Sequence, residues 1–320
     1  MRNDFNICDG ELRGYHGDDE IVFIPDGVDT IAEEAFAYQK YITAVYIPES
    51  VKRIEQRAFA GCWKLKTVSL PSSLEFIGYN AFRDCDSMEC IAFPEKIEMI
   101  SYSSFANCTH LKHVQFPENL KKIQGCAFWG CDWLMEISIP DSVTEIDDRA
   151  FYNCEKLEKI VLSDNIKSIS KNTFGNCNIH SVTYRGIQIL ADKKSPIPGK
   201  FVSDAVRLIW TKHFDTEPNI LEKPVIWDLF LLNPEAEPLV SDIVQHFEAL
   251  FRFLIRKNDT VRTEKILNTG KLITKENIDN LIFMAIDEKA TDVQLLLMNY
   301  KNQHIGYESQ EEIIRRKFEL

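Results

Sequence analysis

The sequence predicts an α+β protein in which a solenoid of seven 23-residue coils with a parallel sheet precedes an all-helical C-terminal domain. Two observations support this fold class. Phenylalanine, cysteine and proline recur every 23 residues through the first half of the chain, and the apolar spacing becomes helical after residue 203. A length of 320 residues is consistent with about two domains.

The repeat consists of columns of like residues 23 positions apart, with no insertion or deletion before Asn178. Gln39 takes the place of cysteine in the first unit. The three clearest columns are Phe36, Phe59, Phe82, Phe105, Phe128, Phe151 and Phe174; Cys62, Cys85, Cys108, Cys131, Cys154 and Cys177; and Pro25, Pro48, Pro71, Pro94, Pro117 and Pro140. Because a single coil cannot bury its apolar face alone, the columns are expected to stack inside one continuous core.

Each coil is expected to contain a short strand that pairs in parallel with the strand of the next coil. In one typical unit, Val68 and Leu70 point to one side of this strand, and Thr67 and Ser69 point to the other. The proline that follows has no N–H to donate, so strand pairing should end there. Parallel strands lie ~4.8 Å apart, so the stacked coils should form a rod roughly 30 Å long.

The pattern Leu-x-x-Val-x-Leu-Pro-x-x-Leu-x-x-Ile-x-x-x-Ala-Phe-x-x-Cys resembles the leucine-rich repeat of bacterial surface antigens, the BspA-like or Treponema pallidum type. The resemblance covers about residues 20–183. It implies a curved leucine-rich repeat solenoid with its parallel sheet on the concave face. Many members of this class are attached to cell surfaces and bind host or matrix proteins, so the resemblance also implies protein binding.

The domain boundaries follow from where the repeat begins and ends. Residues 1–190 are predicted to form the solenoid, with residues 5–24 as an N-terminal hairpin cap that turns at Asp9-Gly10. Residues 191–200 have the composition of a linker, and residues 201–320 are predicted to form the helical domain.

The apolar spacing predicts helices over residues 203–213, 241–257, 260–267, 275–287 and 291–300. The segment 281–297 resembles an ankyrin unit, and residues 250–267 are a weaker copy about 31 residues earlier. The Thr-Pro-Leu-His signature of ankyrin repeats is absent. The C-terminal domain is therefore predicted to be ankyrin-like.

The charge distribution argues against a nucleic-acid partner, because the net charge is −12 and no dense cluster of lysine and arginine occurs. No apolar run is long enough to span a bilayer, so membrane insertion is not expected. The N-terminal residues lack the apolar segment of a signal peptide, and nine cysteines without export indicate a reducing compartment. The predicted location is the cytoplasm, or the cell surface or exterior if the native gene encodes an export signal.

The six cysteines of the column are predicted to pack the coils. A metal site needs thiolates that converge on one point, whereas these cysteines occur once per coil along a rod. No motif of a hydrolase, a metalloprotease or a nucleotide-binding enzyme is present. We therefore expect no metal, no cofactor and no catalytic residues, since an enzyme would need a polar pocket in the helical region.

The candidate binding residues are outward-facing side chains of the strands, which vary freely while the interior columns hardly vary. Phe23 and Tyr46 should form an apolar patch in adjacent coils, with polar residues farther along the sheet. The predicted partner-binding set is Phe23, Tyr46, Ser69, His113, Gln115, Glu136 and Lys159. Trp63, Trp129 and Trp133 lie in loops and form either a second interface or packing contacts with neighbouring coils.

These observations favour a non-enzymatic protein–protein interaction scaffold that binds a protein or peptide ligand on the concave sheet. The alternative is a cell-surface or matrix-binding adhesin whose export signal is missing from this chain. An export signal in the genomic reading frame would favour the adhesin.

Overall fold

A computed structural model of the chain describes residues 4–184, 187–190, 196–200, 202–203, 225–232, 243–244 and 246–306. The chain divides into two compact units, Met1–Trp210 and Thr211–Leu320. Stacked coils form the first unit, and helices form the second. The domain boundaries near residues 190 and 200 stay predictions.

The coils stack into a solenoid of about eight turns, and each complete coil contributes two short strands. The first series is β3 (Ile21–Phe23), β5 (Ala44–Tyr46), β7 (Thr67–Ser69), β9 (Cys90–Ala92), β11 (His113–Gln115), β13 (Glu136–Ser138), β15 (Lys159–Val161) and β17 (Ser181–Tyr184). The second series is β4 (Thr30–Ile31), β6 (Arg53–Ile54), β8 (Phe76–Ile77), β10 (Met99–Ile100), β12 (Lys122–Ile123), β14 (Glu145–Ile146) and β16 (Ser168–Ile169).

Where strands of neighbouring coils are hydrogen-bonded, they pair in parallel, and the ladders are interrupted between β7 and β9, β8 and β10, and β11 and β13. Val22 lies opposite Val45, and Val45 lies opposite Val68, so residues 23 positions apart stand directly above one another. The last step is one residue shorter, and it brings Ile160 opposite Val182. The predicted fold class, a parallel-sheet solenoid followed by helices, is therefore confirmed.

The phenylalanine column forms a continuous stack of buried rings. All seven rings are 0% exposed. Neighbouring ring centroids lie 4.8–5.6 Å apart, with interplanar angles of 2–14°. At the N-terminal end the ring of Tyr15 stacks on Phe36 with a centroid distance of 5.3 Å. Phe36 is therefore an interior member of the stack, although its position in the first coil suggests an edge.

The cysteine column satisfies the carbonyl groups of the phenylalanine column. Each thiol donates a hydrogen bond to the phenylalanine carbonyl oxygen 26 residues earlier, as Cys85 does to Phe59 at 3.3 Å. In the first coil, Gln39 Nε2 donates to the Tyr15 carbonyl at 2.8 Å instead. The longer amide and the tyrosine thus replace the cysteine and phenylalanine of a regular coil.

The turn after each phenylalanine contains a residue in the left-handed backbone conformation, with φ between 58° and 72°. This column is Tyr38, Gly61, Asp84, Asn107, Gly130, Asn153 and Asn176. Glycine, asparagine and aspartate tolerate this conformation best, which explains their recurrence. Tyr38 is the exception, and its ring lies over Gly61, where an added Cβ would come within 2.5 Å of Tyr38 Cδ1.

Antiparallel strands complete the solenoid at both ends. β1 (Phe5–Cys8) pairs with β2 (Glu11–Tyr15), and Asp9 and Gly10 turn between them with φ of 51° and 80°. Two positive φ values suit the tight turn of a hairpin. At the far end β18 (Ile187–Leu190) pairs with β17.

Part of the predicted linker packs on the last coil. Ile197 N donates to the Ile179 carbonyl at 2.7 Å, and Ile197 is buried. An added Cβ at Gly199 would collide with the Phe174 carbonyl group, so no other residue fits against the backbone of the last phenylalanine at this position. Residues 191–195 lie outside the described residues.

The helical unit contains two helix hairpins related by a shift of 31 residues. Among the described residues, its helices are α1 (Val225–Leu232), α2 (Phe247–Arg256), α3 (Thr260–Thr269), α4 (Ile278–Asp287) and α5 (Thr291–Tyr300), followed by a π-helical turn at Lys301–Ile305. The tight turns α2–α3 and α4–α5 contain Asn258 and Lys289, both with positive φ. Asn258 Oδ1 accepts the N–H of Val293 at 3.1 Å, so the first hairpin caps the last helix of the second.

A buried tryptophan attaches α1 to the first hairpin. Trp227 is 0% exposed, and its ring meets Phe247 and Phe251 edge-on. Arg262 Nε and Nη2 donate to the Asp228 carboxylate at 2.7 and 3.0 Å. This bidentate pair raises the pKa of Arg262 further, so the guanidinium stays charged.

The helix starts predicted at residues 260 and 291 agree with the structure, whereas α2 and α4 begin after the starts predicted at 241 and 275. α2 begins at Phe247 after a turn at His246, although Ile243 and Val244 are also helical. α4 begins at Ile278 because Thr274 N–H bonds to Asn277 Oδ1 at 2.9 Å, which holds the preceding residues in a turn. Apart from Ser203, the predicted helix 203–213 lies outside the described residues, and the ankyrin resemblance stays a prediction.

We expect Phe105→Ala to lower the free energy of unfolding by roughly 3–5 kcal/mol, because the cavity is bordered by rings that cannot collapse into it. Because Tyr15 covers Phe36, Phe36→Ala should cost a similar amount. Urea unfolding followed by circular dichroism measures both, with exposed Tyr102→Ala as the control. Losses below about 1 kcal/mol at both phenylalanines would contradict the ring stack.

Candidate binding surface

The outward side chains of the first strand series form an exposed surface, here called the strand face. It consists of two columns, Ile21, Ala44, Thr67, Cys90, His113, Glu136, Lys159 and Ser181, and Phe23, Tyr46, Ser69, Ala92, Gln115, Ser138, Val161 and Thr183. Side chains alternate along a strand, so the residue between the two columns points into the core. All seven predicted binding residues lie on the strand face and are exposed.

The apolar part of the strand face is a pair of stacked rings. Phe23 lies opposite Tyr46 in the sheet register, and their centroids are 4.8 Å apart with an interplanar angle of 8°. Both remain open to solvent, with Phe23 66% and Tyr46 43% exposed. The next member of the column is Ser69, where the aromatic surface ends.

The polar residues occupy the other end of the strand face. Glu136 lies opposite Lys159, and their side chains form an exposed ion pair at 3.5 Å. An exposed pair of this kind stabilises the fold by no more than about 1 kcal/mol, so both groups are available to a ligand. His113 lies opposite Cys90, one coil before Glu136 in sequence.

The structure does not gather the predicted residues into one compact site. Phe23, Tyr46 and Ser69 are adjacent in one column. Five ladder steps separate the coil of Tyr46 from that of Lys159, which corresponds to roughly 24 Å. A ligand that touches the whole set must therefore be an extended segment or a large protein surface.

A second aromatic surface lies on the loops. Trp63 and Trp133 are exposed, whereas Trp129 is partly buried. Trp133 packs between neighbours one coil away on either side: the His110 ring at 5.9 Å and Lys156 Nζ at 3.1 Å from the ring centroid. Packing on neighbouring coils therefore accounts for much of the Trp133 environment. This packing is one of the two interpretations that the sequence allows.

Sequence reasoning missed several exposed tyrosines. Tyr38, Tyr41, Tyr79 and Tyr102 are each about half exposed or more. Tyr79 and Tyr102 stand one coil apart in the same column, whose other members are polar, charged or glycine, and this contrast was the available signal. Tyr38 had a clearer signal, since a tyrosine interrupts a column of glycine, asparagine and aspartate.

The column cysteines are poor nucleophiles. Burial raises the pKa of Cys62 to about 12, and it also raises the pKa values of Cys85, Cys108, Cys131 and Cys154. All nine cysteines are free thiols. Within the described part of the chain, no three histidine, cysteine or carboxylate side chains are grouped so that they could hold a metal ion.

A groove of about 700 Å³ opens in the helical unit beside α2. Its lining includes His246, Phe247, Glu248, Lys271, Leu272 and Glu276. The Thr274 hydroxyl donates to Glu276 and lowers its pKa, which makes this carboxylate a weaker base. General acid–base catalysis near neutral pH needs the opposite shift, so the direction of this pKa shift does not favour Glu276 as a general base.

The repeat region matches the family model described as the BspA type leucine rich repeat region, with 6 copies over residues 19–134 and 75–192. A leucine rich repeat protein from T. pallidum is 31% identical with a TM-score of 0.48, and the match covers 51% of this chain and 84% of that protein. A leucine-rich repeat protein from Bacteroides ovatus is 26% identical with a TM-score of 0.38, and the match covers 51% and 55% of the two chains.

A leucine rich cell surface protein from Faecalibacterium prausnitzii is 22% identical with a TM-score of 0.42, over 61% of this chain and 59% of that one. The chain thus spans little more than half of the last two proteins. No curated protein matches the chain. Since all three TM-scores are below 0.5, the family assignment rests on the family model. Among the described residues, no helix has the length and apolar character needed to cross a membrane.

At about pH 9, exposed Cys8 and Cys90 should react with iodoacetamide within minutes, while Cys62, Cys85, Cys108, Cys131 and Cys154 stay unlabelled. Burial blocks the reagent, and the raised pKa values keep these thiols protonated. Mass spectrometry locates the labels, and unfolding in guanidinium should expose all nine sites. Equally fast labelling of a column cysteine in the native protein would contradict this packing.

The same burial predicts destabilisation at alkaline pH. The folded-state pKa values of the five fully buried column thiols are raised, so their contribution to stability is complete below the unfolded pKa of about 8.5 and is lost at higher pH. Above that pH, each such cysteine should add about 1.4 kcal/mol per pH unit to the decrease in the free energy of unfolding. The free energy of unfolding, measured by urea titration at several pH values between about 8.5 and 10.5, should therefore fall less steeply with pH for Cys108→Ala than for the unmodified chain. Identical slopes would contradict the prediction.

Proposed function

Because the chain belongs to the BspA-type leucine-rich repeat family, we propose that it is a non-enzymatic protein–protein interaction scaffold that binds its partner on the strand face. Proteins of this family are generally non-enzymatic scaffolds that bind protein partners. The proposed ligand is a protein or peptide with its apolar anchor on Phe23 and Tyr46. Ser69, His113, Gln115, Glu136 and Lys159 are proposed to supply directional polar contacts along the same face.

The stacked, exposed rings of Phe23 and Tyr46 are the observation that carries this proposal. Folding does not require them, because the core columns of the same coils are already buried on the other side of the strand. Covering one exposed aromatic side chain contributes roughly 1.5–3 kcal/mol. Two rings that already stack lose little side-chain freedom on binding, so more of this free energy remains for affinity.

An adhesin role is the second candidate, since proteins of this family are typically surface proteins. It uses the same strand face and differs in the partner, which would be a host or matrix protein. The location proposed here is the cytoplasm, and the cell surface is the location that the adhesin role requires. Fractionation of native cells with an antibody against the chain distinguishes the two.

We expect Tyr46→Ala to weaken partner binding at least tenfold, which corresponds to about 1.4 kcal/mol, without lowering thermal stability much. The measurement is quantitative capture from native-organism extract on immobilised protein, followed by titration of the purified partner. Tyr79→Ala is the matched control, because Tyr79 is 48% exposed but lies off the strand face. Unchanged capture by Tyr46→Ala, or equal losses for both variants, would contradict strand-face binding.

A further inference from the structure

The first strand of the strand face has an open edge. The order of this sheet is β3-β5-β7, so β5 covers only one side of β3. Toward β5, the Glu20 carbonyl accepts from Ala44 N at 3.1 Å and Ile24 N donates to the Tyr46 carbonyl at 3.0 Å. Backbone groups alternate between the two sides of a parallel strand, so those of Ile21 and Phe23 face away from β5. Within the described chain, these groups have no hydrogen-bond partner.

Two other sheet ends of the solenoid carry an added antiparallel strand, whereas β16 is, like β3, an end strand among the described residues. β1 pairs with β2 in the sheet of the second strand series, and β18 pairs with β17. The N-terminal hairpin therefore covers the second strand series and leaves β3 uncovered among the described residues. An edge strand with free N–H and carbonyl groups is a site for pairing with another extended chain.

We propose that the open edge of β3 binds an extended, basic peptide segment of a protein partner as an additional strand. The inference rests on the proposed function, since it names the kind of segment that reaches the aromatic end of the strand face. Backbone bonds would form to Ile21 and Phe23. A ligand side chain in register with Phe23 would lie one ladder step from its ring and continue the column that Phe23 and Tyr46 begin.

The charge around β3 selects the ligand. Asp18, Asp19 and Glu20 precede the strand, and Asp26 follows it. Residues 14–39 contain seven acidic side chains and no lysine or arginine. Lysine or arginine side chains on the added strand would meet these carboxylates.

The same carboxylates disfavour a second copy of this chain as the occupant. In an antiparallel pairing that sets Ile21 against Phe23 of the other copy, Asp18 would face Asp26, and like charges opposite each other are destabilising. Exposed charges beside an edge strand commonly prevent such self-pairing. A basic segment is the extended chain that this edge admits.

The test uses the full-length protein and a short fluorescein-labelled peptide of alternating lysine and valine, followed by fluorescence anisotropy. We expect saturable binding that weakens as salt is added, and binding at least tenfold weaker for the matched peptide of alternating glutamate and valine. The decisive variants are Ile21→Ala and Ile21→Pro, since both shorten the side chain but only proline removes the outward N–H. Ile21→Pro should bind at least tenfold more weakly than Ile21→Ala.

A lysine–valine peptide N-methylated at alternate residues keeps the test decisive if Ile21→Pro does not fold. On the unmodified protein, methylation of the bonding edge should weaken binding at least tenfold, and methylation of the opposite edge should not. The proposal is overturned if the lysine–valine peptide does not bind at about 1 mM, or if methylation of either edge has the same effect. In either case, reduced partner capture by Tyr46→Ala would leave the proposed function standing. Normal capture by that variant would contradict the proposed function, whatever the result with the peptides.

Discussion

Contacts between one coil and the next impose the 23-residue step on which the rest of the solenoid depends. Phe59 illustrates why neither the ring nor the turn can shift alone. Its ring stacks on the rings of Phe36 and Phe82, while its carbonyl oxygen accepts from Cys62 N at 3.2 Å and from Cys85 Sγ at 3.3 Å. A residue inserted in one coil would break all of these contacts together. In the regular coils, the phenylalanine and cysteine columns therefore each accept one size and one hydrogen-bonding character.

This constraint explains how much of the fold could be predicted. The columns repeat because every interior coil meets the same neighbours, so their spacing predicts both the strands and the direction of each side chain. The ends escaped prediction because their neighbours differ. Tyr15 and Gln39 replace a phenylalanine and a cysteine at the N-terminal end, and Gly199 closes the other end against Phe174. Tyr15 and Gly199 belong to no column, and Gln39 interrupts the cysteine column, so the role of each becomes interpretable only once the packing is known.

The candidate site was also predictable where it follows the repeat and unpredictable at the end of the solenoid. Strand alternation was sufficient to predict that Phe23, Tyr46 and Lys159 face outward. The stacking of Phe23 on Tyr46 also follows from register, because residues 23 apart are one ladder step apart. The open edge of β3 could not be predicted from the sequence. It depends on which strand series the N-terminal hairpin joins, and in the structure the hairpin joins the second series.

Position along the solenoid determines what a ligand can use. In a strand such as β5, both edges are hydrogen-bonded to neighbouring strands, so recognition depends on side chains alone. At β3, both the backbone edge and the side chains are available, and the largest exposed apolar side chain of the strand face, Phe23, lies there. An open edge in a repeat protein carries a risk of end-to-end association. The carboxylates of Asp18 and Asp26 oppose that association without occupying the edge, and this leaves the first coil as the place where sequence-independent backbone pairing and side-chain selection can act together.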